Sequence, residues 1–385
     1  MNLRVLLHVQ HLLGIGHAKR GAMLARAMGR EGLAVTVLSG GEPVELDWGG
    51  AEIVQLPWAR ALDTGFQHIV DEADRPLDAA FHARRREQVL AALARTAPQA
   101  LLVESYPFGR RAFRTELDAL IATARERGIP VLVSIRDILV AKRDPRRIAE
   151  IVERVKRDID GVLVHGDPSL VPLEASFPAA GEIASKVIYT GYVAEPPSDA
   201  GGDAGRGEVI VSAGGGAVGA PLLRAALAAR PLGPAADRPW RLIAGPNLPE
   251  AEYSALRRAA GPGVTIERFR RDFPALLSRC HLSLSQAGYN TILDLLQARA
   301  RAVVVPFAEG GETEQALRAQ ILAERGLIQC VDARDLAEPG GALALAAAME
   351  RALAAPPPEI GALALDGGRR TAREIARLAI NGSTH

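Results

Sequence analysis

The densest concentration of usable chemistry in this sequence is Ser285-Gln286-Ala287-Gly288-Tyr289-Asn290-Thr291. A glycine turn that leads from an apolar segment straight into a helix leaves backbone N–H groups pointing out of the helix start. With the helix dipole, these make a site for phosphate or another anion. Asp294 falls about one turn inside that helix, where a carboxylate can accept hydrogen bonds from ribose hydroxyls. Past the next apolar segment, Glu309, Glu312, Glu314 and Gln315 supply further acceptors. A second glycine-rich turn, Ala213-Gly214-Gly215-Gly216-Ala217, offers backbone N–H groups of the same kind. In the amino-terminal half, His17 follows Gly14-Ile15-Gly16, and a neutral imidazole there can take a proton from a hydroxyl. Glu104 and Asp137 each stand at the end of an apolar run. Glu104 can orient the imidazole or act as a base itself.

These residues are placed by alternating strands and helices. The apolar runs predict strands at Arg4 to Val9, Ala34 to Leu38, Glu52 to Gln55, Ala100 to Val103, Val131 to Ser134, Val162 to His165 and Val187 to Tyr189. A second set is predicted at Glu208 to Ser212, Trp240 to Ala244, Val264 to Glu267, Leu282 to Ser285, Ala302 to Pro306 and Ile328 to Val331. Helices are predicted from Ala18 to about Arg30, in a helix-rich span from Phe66 to Thr96, and from Pro221, Phe273, Tyr289, Glu312, Ala342 and Arg369. Such alternation gives parallel α/β sheets, whose ligands bind at the carboxyl ends of the strands. Gly14-x-Gly16 only partly matches a dinucleotide fingerprint: the third glycine is misplaced and Ser39-Gly40-Gly41 stands where an acidic residue belongs, so a nicotinamide site is weakly supported.

The string from Ser285 to Thr291, with Asp294, Val303-Val304-Val305-Pro306 and Glu314-Gln315, resembles the donor-binding signature of GT-B glycosyltransferases, and of glycosyltransferase family 28 in particular. Asp294 replaces the usual Glu, and Arg318 stands where Asn is common. Pro107-Phe108-Gly109-Arg110, Arg136-Asp137-Ile138 and His165-Gly166-Asp167-Pro168 resemble a bacterial subgroup of GT-B glycosyltransferases. The resemblance implies a GT-B fold: two Rossmann-like domains with parallel sheets facing a central cleft. It also implies a UDP-sugar as co-substrate, with no cofactor and no metal, and N-acetylglucosamine as the first sugar to test. Gly214, Gly215, Gly216, Gln286, Ala287, Gly288, Tyr289, Asn290 and Thr291 would hold the donor, Asp294 its ribose, and Glu314 and Gln315 its sugar. Phe269 and Arg270 would lie at the base. Gly14, Gly16 and Asp137 would face the acceptor, with His17 or Glu104 as the base of an inverting transfer. The acceptor itself, whether glycan, lipid-linked or small molecule, is left open. A UDP-sugar 2-epimerase of the same fold and a silent nucleotide-sugar-binding protein are the alternative readings.

At 385 residues the chain is too long for one typical core and fits two domains of roughly 150–200 residues. The expected division is residues 1–194, a linker at 195–207 rich in Pro, Gly, Asp and Ser, a donor domain at 208–367, and a terminal helix at 368–385 packing back on the first domain. A composition of 48% hydrophobic and 24% charged residues is globular. The net charge of +1 predicts no bulk attraction to nucleic acid. The donor half contains no Asp-x-Asp string, which fits metal-independent transfer. No apolar run reaches the ~18 residues of a membrane helix, so the expectation is cytoplasmic, with peripheral contact at the inner membrane face as the alternative. Arg84-Arg85-Arg86 reads as a solvated helix face, or as a contact to an anionic acceptor or membrane surface. Cys280 and Cys330 read as buried small hydrophobes. Plainer readings stay open for several residues: a backbone-bonded helix start for His17, an N-cap or Arg136 pair for Asp137, and core packing for Phe269.

Overall fold

The computed structural model describes residues 3–63, 65–140, 144–194, 202–215, 218–307, 313–360 and 363–382. Gly216, Glu309, Glu312 and most of the 195–207 linker lie outside these residues. The chain divides into two compact units, Met1–Ala194 with Ala364–His385, and Glu195–Leu363. The return to the first unit therefore begins at Ala364, ahead of the expected 368.

The first unit contains β1 (Arg4–Val9), α1 (Gly16–Arg30), β2 (Ala34–Ser39), β3 (Glu52–Gln55), β4 (Ala59–Ala61), β5 (Ile69–Asp71), α2 (Ala79–Thr96), β6 (Ala100–Glu104), α3 (Arg114–Glu126), β7 (Val131–Arg136), α4 (Pro145–Asp158), β8 (Gly161–His165) and β9 (Val187–Tyr189). Its main sheet has the order β3-β2-β1-β6-β7-β8-β9, and every pairing is parallel. Side chains alternate between its faces. On β1, Leu6 enters one apolar cluster while Val5, Leu7 and Val9 enter the other. With both faces covered, the strands read as nearly continuous apolar runs.

The second unit contains β10 (Val209–Ser212), α5 (Ala220–Ala229), β11 (Trp240–Ile243), α6 (Glu250–Ala259), β12 (Val264–Glu267), α7 (Phe273–Leu277), β13 (Leu282–Gln286), α8 (Tyr289–Ala298), β14 (Ala302–Val305), α9 (Glu314–Glu324), β15 (Gln329–Cys330), α10 (Ala333–Ala337) and α11 (Gly341–Ala354). Its sheet, β12-β11-β10-β13-β14-β15, is again parallel throughout. The last helix, α12 (Gly367–Gly382), belongs to the first unit and packs on α1. Ala372, Ile375 and Ala379 join Leu24, Ala25 and Met28 in one core. Gly368 permits that approach, since a Cβ there would stand 2.8 Å from the Ala27 Cβ of α1.

Two expectations fail in the first unit. The span from Phe66 is not helical until Ala79: β4 and β5 form an antiparallel hairpin instead. The cause is local, because Asp71 accepts hydrogen bonds from Ala73 N–H and Arg75 N–H at 2.9 Å, fixing a turn. Asp78 then caps α2 by accepting from Phe81 N–H at 2.7 Å. Arg85 is not on a solvated face. Its side chain is fully buried and pairs with Glu116, while Arg84 and Arg86 are exposed. Both cysteines are half-buried; the Cys280 thiol donates to the Leu277 carbonyl oxygen at 3.2 Å, and burial raises its pKa to about 12.

Candidate active site

In each sheet the chain turns away in opposite directions from one central pair of strands, and the chemistry gathers at the carboxyl ends of that pair. In the first unit the pair is β1 and β6. His17 follows β1 in the first turn of α1, and Glu104 is the last residue of β6. Their side chains meet, with His17 Nδ1 2.6 Å from Glu104 Oε1. At that distance one proton lies between them, and a carboxylate has none to give, so Nδ1 carries it and Nε2 presents a lone pair. Glu104 is buried, whereas the His17 side chain keeps 20% of its surface. Ser105 adopts the left-handed backbone region at φ 66° and donates its hydroxyl to the same Glu104 oxygen at 2.9 Å.

Three arginines complete this cluster; Arg110 and Arg136 belong to strings that carry the resemblance, but neither was assigned a role there, and Arg20 was not singled out. Arg20, one turn after His17, hydrogen-bonds Glu104 Oε1 through Nη2. That same Nη2 is 3.3 Å from His17 Nδ1; with Nδ1 protonated, this second approach is a contact through the shared carboxylate oxygen. Arg110 places Nη2 3.9 Å from Glu104 Oε2 and donates Nε to the Gln10 carbonyl oxygen at 2.8 Å. Arg136, at the end of β7, donates Nη2–H to His17 Nε2 at 3.3 Å. Burial lowers the His17 pKa to about 3; Glu104 opposes this and is outweighed when Arg110 and Arg136 add to the burial effect. Burial acts to raise the Glu104 pKa, but His17, Arg20 and Arg110 hold it well below the usual carboxylate range. The resting pair is therefore a neutral imidazole on an ionised carboxylate.

Gly14 and Gly16 precede His17 in the chain and are exposed. Nothing lies within 4 Å of where a Cβ would stand on either. Asp137 is placed differently from its expected acceptor-side position: it is fully buried, accepts from Ile138 N–H at 2.9 Å, and packs against Gly166. It caps no described helix, since α4 is capped by Asp144.

A second buried network braces the loops of this rim. Arg85 donates to both Glu116 oxygens, to the Gly40 and Pro57 carbonyl oxygens and to Gln10 Oε1, while His8 Nε2 lies 3.2 Å from Glu116 Oε1. His165 is also fully buried, with its ring nitrogens 2.8 Å from the hydroxyls of Ser134 and Thr190; burial lowers its pKa to about 3. A polar residue inside an apolar strand, as at His8, Ser134 and His165, was the available sequence signal for these networks.

In the second unit the central pair is β10 and β13, joined in register at Ser212 and Ser285. The turn after β10 carries Gly214 and Gly215, both exposed, and the turn after β13 carries Gly288. Gln286 links the two: its Nε2 donates to the Val218 carbonyl oxygen at 3.4 Å, and its Oε1 is 3.7 Å from the position of a Gly214 Cβ. Gly214 needs glycine for its φ of 59°. Gly288 does not, with φ −62° and no atom closer than 3.9 Å to where a methyl carbon would stand. No side chain caps the start of α8 or α5, so their first N–H groups stay available. Asn290 is exposed, and Thr291 and Asp294 are half-buried on α8.

Several expected donor contacts are corrected. Ala287 and Tyr289 are buried, Ala287 in the apolar core and Tyr289 beneath the Arg318 guanidinium at 5.2 Å, so only their backbones remain for a ligand. Glu314 is buried and accepts from Arg318 Nη2 at 2.9 Å. The arginine that stands in the usual Asn position draws this carboxylate inward. Gln315 Oε1 accepts from Phe307 N–H at 3.1 Å, fixing the loop entrance. Arg270 is engaged by Asp272 and Glu267. Phe269 is 60% exposed, which removes the core-packing alternative.

The family model described as "Glycosyltransferase family 28 C-terminal domain" matches residues 210–350. A curated relative, the UDP-N-acetylglucosamine--N-acetylmuramyl-(pentapeptide) pyrophosphoryl-undecaprenol N-acetylglucosamine transferase of Rhodospirillum centenum, is 34% identical over 68 residues; the match spans 18% of this chain and 18% of the relative. Among solved structures, the glycotransferase of kitacinnamycin aligns with a TM-score of 0.62 at 16% identity, covering 98% of this chain and 99% of that one. MurG of Acinetobacter baumannii aligns with a TM-score of 0.59 at 18% identity, covering 98% and 100%. Residues 210–350 thus resemble the carboxyl-terminal domain of glycosyltransferase family 28, and the two parallel-sheet units share the fold of GT-B glycosyltransferases.

Proposed function

We propose that this protein is a glycosyltransferase that moves a hexose, with N-acetylglucosamine the first to test, from a UDP-sugar to an acceptor hydroxyl. The observation that carries this reading is the pair of uncapped glycine turns after β10 and β13, bridged by Gln286 inside the segment that matches family 28. The donor diphosphate rests on Gly214, Gly215 and the first N–H groups of α8, and Asp294 accepts from the ribose. Negative charge grows on the leaving diphosphate, and fixed N–H donors stabilise it without requiring a metal. In the first unit, His17 Nε2 takes the acceptor hydroxyl proton while Glu104 stabilises the imidazolium. The acceptor oxygen bonds to the anomeric carbon as the carbon–phosphate oxygen bond breaks, UDP leaves, and the configuration inverts. UDP as the nucleotide is supported by the activity for which the Rhodospirillum relative is named.

The test is thermal melting with UDP, UDP-sugars and NAD, followed by a UDP-release assay with candidate acceptors. Binding to the folded state raises the melting temperature. A rise with UDP and UDP-sugars but not NAD, and UDP release only with acceptor, is the expected result. Binding without UDP release, accompanied by an altered sugar, would establish the epimerase instead; no response to any nucleotide would sink the donor site.

A further inference from the structure

Glu104 is a buried carboxylate, and a buried carboxylate must be matched by a nearby positive charge or take up a proton. Two groups within hydrogen-bond reach of its Oε1 can supply that charge: the His17 ring, by taking a second proton, and the Arg20 guanidinium, which is charged already. Arg20 stands three residues after His17 on α1, a spacing that puts both side chains on one face of the helix. It is 3% exposed, and its Nη2 donates to the same Oε1 that accepts from His17 Nδ1. The Ser105 hydroxyl donates to that oxygen as well, at 2.9 Å. Among the described residues the other oxygen, Oε2, accepts no hydrogen bond; Arg110 stays 3.9 Å away and donates its Nε to the Gln10 carbonyl oxygen instead.

The His17–Glu104 pair can hold one proton or two. With one, the ring is neutral, Nδ1–H points at Oε1 and Nε2 keeps its lone pair. With two, the ring is an imidazolium and Nε2 has nothing to accept with. Arg136 at the end of β7 donates to Nε2 at 3.3 Å, a contact that exists only in the first state. A second ring proton would also set two cations on the one oxygen Oε1. Burial first, then Arg110 and Arg136, disfavour the imidazolium, and Glu104 favours it. His165 of β8, which feels Arg20 and Glu104, is itself held neutral by burial.

We propose that Arg20 is the positioning residue of this base: by meeting the charge of Glu104 at Oε1 it holds the His17–Glu104 pair to a single proton, on Nδ1, and so keeps the Nε2 lone pair for the acceptor hydroxyl. That this lone pair serves a transfer rests on the transferase reading; the proton count of the pair does not. The same cation makes His17 a weaker base, but one that is unprotonated at neutral pH.

The test counts the protons on His17 in the full-length protein, without donor or acceptor. The histidine rings are labelled with 15N, and the His17 signals are assigned by their loss in His17→Asn. Couplings between the ring nitrogens and the carbon-bound ring protons tell an Nδ1–H ring from an Nε2–H ring and from an imidazolium. The unaltered protein should show the Nδ1–H ring alone between about pH 6 and 8. Arg20→Gln keeps a hydrogen-bond donor without the charge, and should take the second proton at a pH about 1–3 units higher, the usual effect of one neighbouring charge. Arg20→Lys keeps the charge without the planar fork, and should reverse most of that rise. An equal rise in both variants would mark a packing effect and overturns the proposal, as does no rise in Arg20→Gln. An Nε2–H ring or an imidazolium in the unaltered protein overturns it before any variant is made. The UDP-induced melting shift should be the same in the parent and both variants; its absence in the unaltered protein strikes the donor reading and leaves the His17 result standing.

Discussion

Arg85 grips Glu116 through two hydrogen bonds, Nε to Oε2 at 2.6 Å and Nη2 to Oε1 at 2.5 Å, with neither side chain exposed. Phe113 lies under the guanidinium at 4.7 Å. Removing one partner strands a buried charge, which costs about 3–5 kcal/mol. Glu116→Ala and Arg85→Ala should each lower the urea midpoint strongly, while Arg86→Ala, on the exposed side of the same helix, should stay within about 0.5 kcal/mol of the parent. Equal tolerance of all three substitutions would show that this network does not brace the rim.

His17 and Glu104 should affect turnover rather than donor affinity. His17→Ala and Glu104→Gln are expected to slow UDP release by about 10²–10⁴-fold, the usual share of a general base. Calorimetric titration with UDP should be unchanged within a factor of about two, because the groups proposed to hold UDP belong to the other unit. A large loss of UDP affinity in either variant would contradict the division of labour.

Gly288 separates a ligand role from a folding role. Its φ of −62° and open surroundings let alanine fit the folded chain. Gly288→Ala should therefore melt within a few degrees of the parent, yet bind UDP more weakly, as the methyl intrudes on the phosphate position. A variant that melts normally and binds UDP normally would remove the diphosphate from this turn.

Asp294→Ala should weaken UDP binding about tenfold or more, the loss expected for hydrogen bonds to a charged acceptor. The comparison with 2′-deoxy-UDP is decisive: the parent should discriminate against it, and the variant should not. Equal discrimination in both proteins would take the ribose away from Asp294.

Stability should fall on mild acidification. His17 and His165 have pKa values lowered from 6.5 to about 3, first by burial. The unfolded chain therefore takes up protons below pH 6.5 that the folded chain refuses. Their contribution is whole above 6.5 and is lost as pH falls toward 3, at up to about 1.4 kcal/mol per pH unit for each histidine. Burial acts to raise the Glu116 pKa, but the hydrogen bonds from Arg85 bring it down to about 2, so its contribution is lost between 4.5 and about 2. Urea midpoints should drop from pH 7.5 to 5.0, and the drop should shrink in His165→Asn. A flat profile over that range would show that these histidines are not held neutral.

How much of the site was legible depended on whether a residue acts through its backbone or its side chain. The turns at Gly214 and Gly288 were readable because an apolar strand, a glycine and a helix start are adjacent in the chain. The gathering of Arg20 and Arg110 on Glu104, and of Arg136 on His17, was not, since nothing near these arginines in sequence says that the fold brings them to one histidine–glutamate pair. Glu314 and Arg318 misled for a related reason. Four residues apart on a helix, they face each other, and their pairing depends on the burial of that face.

The sequence by itself determined the two parallel sheets, through apolar runs separated by helix patterns, and the uncapped turns that follow their strands. Local periodicity and turn chemistry are sufficient for those features. Only the tertiary structure decided that His17 stands on Glu104, that Arg136 covers Nε2, and that Arg85 is buried while Arg84 and Arg86 are not. Those outcomes depend on strand order: placing β1 beside β6, and β6 beside β7, joins residues 87 and 119 positions apart in the chain. Charge and hydrogen bonding act through space, so a cluster of this kind exists only once the sheet has closed.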